Sequence, residues 1–317
     1  MLGAAHKPGA MPLRPLGLGD IYDAAFRIIR FNPKATVGSA VLVASAAMAL
    51  PLIVTAAFTW TVGMSLEPTP DDIGAAELAG LIGSFSALAI GVLLQWVGTI
   101  LVTGMIAHVT AAAAIGRRLG LVEAWQATRG KRWRLIGTSM LIGLASTVIF
   151  AAYVGAWFAV VFAADGAGPV VIWGLLTVPA FIVLLIWLWI RFAYLPVPVL
   201  MLEPVGVFGA FGRGYRLSRR QFWRIFGIAL LTLVITGIAS QVLSTPISMA
   251  SQFGIVALGP QYAVLGIMVA QALTSVLTAA FVSPFTGAVT SLQYLDQRIR
   301  KEAYDVELMT QAGITAS

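Results

Sequence analysis

Long apolar runs alternate with short basic segments along this chain. No Asp, Glu, Lys or Arg occurs from Ala35 to Leu66, from Leu78 to Gly116, from Leu135 to Ala164, or from Ile225 to Leu295. A membrane-spanning helix takes about 20 apolar residues, so the last run crosses twice, with a turn expected near Gly254 to Pro260. With the apolar stretch from Val170 to Tyr194, the pattern predicts six crossings. The second run is too long for one: about 40 residues at 1.5 Å each reach roughly 60 Å, twice a bilayer core. Part of it must project, bend or lie flat. A kink is expected at Pro51, Pro284 falls inside the last helix, and Pro196 and Pro198 interrupt regular helix before Glu203.

The segments between the runs are amphipathic. From Gly206 to Gly227, Phe208, Phe211, Tyr215 and Phe222 share one side of a helical wheel, opposite Arg213, Arg216, Arg220 and Arg224. Leu18, Ile21, Tyr22, Ala25, Ile28 and Ile29 form a similar face that ends at Asn32-Pro33. Aligning Gly38, Gly137 and Gly227 without gaps places Arg30, Arg129 and Arg219 in one column. Phe26, Trp125 and Tyr215 fall in a second column, and Ala25, Ala124 and Gly214 in a third. The reading is an all-α integral membrane fold of three tandem units, each an interfacial elbow helix followed by a transmembrane hairpin. The units cover about 18–114, 115–203 and 204–297 of a single domain, 18–308, between a flexible tail, 1–17, and a second tail, 309–317. Because each unit holds an even number of crossings, the copies share one orientation, with any symmetry axis along the membrane normal.

Composition agrees: 59% of the 317 residues are hydrophobic and 10% charged, against about 25% charged in a soluble domain. The net charge of +7 is a matter of position. All 20 Lys and Arg lie before helix 1, between helices 2 and 3, between helices 4 and 5, after helix 6, or, for Arg191, toward the end of helix 4. The opposite loops hold Glu67, Asp71, Asp72, Glu77 and Asp165 and no cation. By the positive-inside rule both termini are cytoplasmic. Prolines 8, 12 and 15 break up the first residues, so no signal-peptide core is expected there. The absence of cysteine excludes disulfides, thiolate metal sites and cysteine nucleophiles.

Candidate chemistry is sparse. HExxH, GxSxG and GxxxxGK[ST] are missing and there are two histidines, so no catalytic residues, metal site or cofactor are expected. Arg129, Arg132, Arg213, Arg216, Arg219, Arg220 and Arg224 are candidates to hold anionic lipid headgroups. Arg191, Glu203 and His108 are candidates for an intramembrane polar site. Arg191 either holds a lipid phosphate, pairs with Glu203, or snorkels toward the headgroups. His108 fits a hydrogen bond at a helix interface, and Gln95, Gln241, Gln271 and Gln293 either line a polar path or bridge helices. Gly83, Ala87 and Gly91 form a small-residue ridge suited to close helix packing within the chain. Two functions are expected: a non-enzymatic membrane protein whose elbows bind anionic lipid and which scaffolds or assists envelope processes, or a lipid or small-solute transporter with a cavity near Arg191.

The run R-F-A-Y-L-P at Arg191 to Pro196, Glu203, and R-L-S-R-R-Q-F-W-R from Arg216 to Arg224 resembles a family of bacterial multi-pass membrane proteins. These are often labelled membrane domains of glycerophosphoryl diester phosphodiesterases. R-P-L-G-L-G-D-I-Y-D, Arg14 to Asp23, and Y-L-D-Q-R-I-R-K-E-A-Y-D, Tyr294 to Asp305, are similar to its actinobacterial branch. The resemblance implies a helical protein of the bacterial plasma membrane. It implies no phosphodiesterase activity, because nothing here matches the catalytic residues. Ala303 stands where that family usually has glycine, with little consequence expected.

Overall fold

The computed structural model describes residues 9–64, 70–258, 263–311 and 313. Among them the chain is helical and contains no strand. The elements are α1 (Leu18–Phe31), a π turn (Lys34–Gly38), α2 (Ser39–Met64), α3 (Pro70–Ala114), α4 (Leu121–Ala127) and α5 (Arg132–Ala163). Then come α6 (Ala167–Leu188), a second π turn (Trp189–Ala193), α7 (Pro196–Leu202), α8 (Val207–Ser218), α9 (Phe222–Leu258), α10 (Ala263–Glu302) and α11 (Tyr304–Gln311). Six stretches are long and apolar enough to cross a membrane: Lys34–Ala57, Ala89–Ala114, Arg132–Ala163, Ala167–Leu202, Phe222–Gly254 and Leu265–Glu302. The chain is a multi-pass membrane protein.

Several boundaries differ from expectation. The long second run is one helix, α3, whose apolar span begins only at Ala89. Glu67 in the acidic loop, part of the turn near Gly254 to Pro260, and the last four residues lie outside the described residues. The second tail starts later than expected: α10 continues past Leu295 to Glu302, and α11 runs from Tyr304 to Gln311. One wheel does not run from Gly206 to Gly227 either. Helix α8 stops at Ser218, Arg219 is extended and Arg220 is left-handed at φ 65°, so Phe222 and Arg224 belong to α9.

Helices α2, α3, α9 and α10 pack together, and α10 touches each of the other three. Small residues permit the close approach of α2 and α3. A methyl group built on Gly91 would lie 2.5 Å from the Pro51 ring, and one on Gly98 would strike Val43. The ridge is therefore intramolecular at Gly91. The α5–α6 hairpin is different: α6 buries no side chain, and α5 buries only Leu135, Thr138 and Ser139 in its first turns. Its own two helices are joined by Tyr153, which stacks on Phe181 at 3.9 Å and hydrogen-bonds with Thr177 at 3.1 Å. Leucines facing lipid lose nothing by not finding another helix, so this hairpin can stand off the core.

Each elbow begins at a glycine in extended conformation: Gly17, Gly120 and Gly206. The first two are closed by a carboxylate three residues on. The Gly17 N–H donates to Asp20 Oδ2 at 2.9 Å and the Gly120 N–H to Glu123 Oε2 at 3.1 Å, the N-terminal half of a capping box. Across the three elbows Ala25, Ala124 and Gly214 are buried, whereas Phe26, Trp125 and Tyr215 are 47%, 39% and 37% exposed. Arg30, Arg129 and Arg219 are exposed as well. Small residues thus sit where elbow meets core, with aromatic rings beside them at the periphery.

Residues 9–17, expected to be a flexible tail, are anchored. Met11, Leu13 and Leu16 are buried among the core residues, and the Ala10 N–H donates to the Ala113 carbonyl at 2.8 Å. The Pro-containing sequence has no helical periodicity because it packs as an irregular strap rather than as an element.

The break between α10 and α11 falls at Ala303, φ 51°. A left-handed conformation brings Cβ against the following carbonyl and costs an alanine roughly 1 kcal/mol that glycine does not lose. The expectation that alanine here has little consequence is thereby corrected. Ala303→Gly is predicted to stabilise the protein by about 1 kcal/mol, read as a rise in the unfolding midpoint in detergent; an unchanged or lower midpoint would contradict it.

Candidate functional site

The segments that precede α5 and α9 and that follow α10 come together with the N-terminal strap at one end of the bundle, and charged side chains fasten them. Asp296, 1% exposed near the end of α10, is the first fastening point. Its Oδ1 accepts the Leu16 N–H at 2.8 Å, Arg224 of α9 meets Oδ2 at 2.9 Å, and Arg300 binds from one turn on at 2.9 Å. Arg224 and Arg300 both also donate to the Leu16 carbonyl. One peptide of the N-terminal strap is held at its N–H by a carboxylate and at its neighbouring C=O by two guanidinium groups.

Glu203, between α7 and α8, is the second. Its carboxylate accepts from Arg213 Nε at 2.9 Å and from the Tyr294 hydroxyl at 2.8 Å. Arg213 also reaches Glu302 at 2.7 Å, and Glu302 takes Arg298 at 3.0 Å. Arg298 in turn lies 3.6 Å over the Tyr304 ring, tying α11 to α10. Two lysines close open helix ends. The Lys131 ammonium donates to the Met201 and Glu203 carbonyls at 2.8 Å each, at the end of α7. Burial, with Arg134 nearby, lowers its pKa, while Glu203 opposes the shift. Lys301 donates to the carbonyls of Arg216, Leu217 and Arg219 at 2.8–3.0 Å, at the end of α8.

The seven elbow arginines therefore separate. Arg213 and Arg224 are engaged in ion pairs and are not free for a headgroup. Arg132 lies 3.7 Å over the Trp125 ring and hydrogen-bonds Thr128 Oγ1 at 3.0 Å. Arg129, Arg216, Arg219 and Arg220 are exposed, and no ion pair among the described residues engages them.

The three candidates for an intramembrane site do not meet as a pair or triad. Glu203 belongs to the Arg213 network rather than to Arg191. Arg191, in the second π turn, lies over Tyr215 at 5.2 Å, Phe222 at 5.7 Å and Trp187 at 6.0 Å, with Nε and Nη1 buried and unpartnered. His108 faces a separate cleft of about 590 Å³ that Arg117, Glu123, Gln126 and Gln311 also line, and its buried Nε2 has no partner. Among the glutamines, Gln293 of α10 donates to the hydroxyl of Tyr194, between the second π turn and α7, at 2.7 Å, and Gln95 binds Thr99 on its own helix. The sequence singled out neither Asp296 nor Tyr294, Arg298 and Glu302; the available signal was the cluster of charges in Y-L-D-Q-R-I-R-K-E directly after an apolar run.

Comparison with protein-family models, curated proteins and solved structures finds no match to this chain.

Asp296→Asn keeps the shape but removes the charge that Arg224 and Arg300 share. The variant is predicted to lose about 2 kcal/mol, a charge-assisted hydrogen-bond's worth for partly exposed partners, and to speed hydrogen exchange at the Ala10 and Leu16 amides more than in α2 or α3. Unchanged protection of those two amides would remove Asp296 as the anchor of the strap.

Proposed function

We propose that this is a non-enzymatic membrane protein built of three tandem elbow-and-hairpin units, whose basic end grips anionic lipid headgroups and scaffolds processes at the membrane. The observation that carries the reading is the set of arginines left over once the ion pairs are made: Arg129, Arg216, Arg219 and Arg220, exposed beside the outward-facing Trp125, Tyr215 and Trp223. Aromatic rings with adjacent cations suit the headgroup layer. The matching burial of the three alignment columns supports the tandem units. The crowding of Lys and Arg at one end supports cytoplasmic termini, through the positive-inside rule. Kinship with the phosphodiesterase-associated membrane family belongs to the same proposal and brings no catalytic claim with it.

The transporter reading is less favoured, because the centre of the α2, α3, α9 and α10 bundle is filled by Ile106, Phe285, Val289 and Leu292, all buried.

Each near-surface cation adds about 1 kcal/mol of attraction to an anionic leaflet. Replacing Arg129, Arg216 and Arg219 together with Gln is predicted to abolish the enrichment of phosphatidylglycerol over phosphatidylethanolamine in lipid copurified from mixed nanodiscs, and to remove its salt dependence. An enrichment equal to that of the unaltered protein would sink the headgroup reading.

A further inference from the structure

Among the described lysines and arginines, Arg191 alone has side-chain nitrogens that are buried without a hydrogen-bond partner. It sits in a π turn, where the helix admits an extra residue per turn and where functional side chains are often re-aimed. A guanidinium has five N–H donors and no acceptor. Two of the nitrogens of Arg191 are buried with no hydrogen-bond partner, and the groups beside it are ring faces: Tyr215, Phe222 and Trp187. Rings balance part of the charge but accept no directed N–H bond as an oxygen does. Glu203, the nearest carboxylate ahead of it in sequence, is already engaged by Arg213 and Tyr294.

The surroundings add positive charge. Arg191 and Arg220 both act electrostatically on the Lys301 ammonium, whose donors are occupied by three carbonyls. Arg220 is held in a left-handed conformation. The corresponding position of the second elbow is Gly130, at φ 82°, the residue such backbone favours. An arginine kept where glycine fits is a strain that a binding role would explain.

The same π turn forms one wall of an apolar groove of about 400 Å³ beside the α5–α6 hairpin. Trp189, Phe192, Phe208, Phe211, Ala145 and Leu185 are among its lining residues. Phe192 stacks on Tyr215 at 5.7 Å, and Tyr215 is the ring Arg191 covers most closely. A two-ring step thus leads from the groove to the unsatisfied guanidinium.

We propose that Arg191 receives the phosphate of one anionic phospholipid whose acyl chain lies in the groove between α5, α6 and α8. The proposal rests on the lipid-gripping reading above, but names a single discrete site rather than a charged surface. The phosphate supplies oxygen acceptors to a guanidinium whose Nε and Nη1 have none. The apolar groove selects a ligand with a hydrocarbon tail over a free phosphate.

Native mass spectrometry of the full chain in detergent tests it, with dioleoyl phosphatidylglycerol as the ligand, dioleoyl phosphatidylcholine as the control and sn-glycerol 1-phosphate as the soluble competitor. The expected result is one tightly held phosphatidylglycerol, weakened at least tenfold in Arg191→Gln and in Ala145→Trp, which blocks the groove from its lipid-exposed side. Arg191→Lys, which keeps the charge without the planar fork, is expected to fall between. The Arg129, Arg216, Arg219 triple glutamine variant should keep this one lipid while losing bulk enrichment, so the surface reading and the discrete site fail separately. Full occupancy in folded Arg191→Gln overturns the site. Full occupancy in Ala145→Trp overturns the groove, and should Arg191→Gln not fold, that variant and Arg191→Lys decide alone. Displacement by millimolar glycerol phosphate overturns the lipid as the source of the phosphate, and equal retention of phosphatidylcholine overturns the requirement for net negative charge.

Discussion

A helix that stops at a membrane boundary leaves its last carbonyls unpaired, and apolar surroundings offer nothing to pair them. This chain stops and restarts repeatedly at one end of its bundle, and cations answer the carbonyls: Lys131 at the end of α7 and Lys301 at the end of α8, while Arg224 and Arg300 do the same for the Leu16 carbonyl of the irregular strap. Each of these bonds joins segments distant in sequence, so the chemistry that satisfies a helix end also sets which helices stand together. Asp296 holds the same two guanidinium groups that the Leu16 carbonyl receives, and Glu203 holds Arg213. The arrangement at this end therefore depends on polar pairing at least as much as on apolar contact, which lipid largely equalises.

That division alters how the net positive charge should be understood. A count of arginines on an amphipathic segment treats them as equivalent, yet Arg213 and Arg216, three residues apart, differ in kind. Arg213 is bound between two carboxylates while Arg216 is exposed. Only the second kind is available to anything outside the chain. The aromatic face of α8 divides as well, with Phe208 and Phe211 turned to an apolar groove and Tyr215 to a guanidinium.

The number and approximate limits of the spans were legible in sequence because a helix in hydrocarbon must be continuously apolar, a requirement visible in runs such as Ile225 to Leu295. The elbow at Leu18–Phe31 was legible through its one-sided apolar face. Less visible was everything that depends on irregular backbone. The strap has no periodicity to detect, although Leu16 is as buried as any core leucine. The break at Arg220 was hidden because arginine does not announce a left-handed residue as Gly130 does. Ion-pair partners were equally hidden, since Glu203 and Tyr294 are joined by folding and not by spacing. Arg191 was recognisable as an isolated charge in an apolar helix, but its π turn and surrounding rings required the structure.

The peptide at Leu16 and the carboxylate at Asp296 lie 280 residues apart. Synthesis proceeds from the strap toward α10, so the earliest part of the fold to emerge is the last to be seated. Until the ribosome has passed Arg300, Met11 and Leu16 have no Asp296 clasp to dock beneath, whatever the state of the hairpins already inserted. The strap is thereby closed by the final span: Ala10 meets α3 at the Ala113 carbonyl, but Leu16 gains its carboxylate partner only once Asp296 is in place.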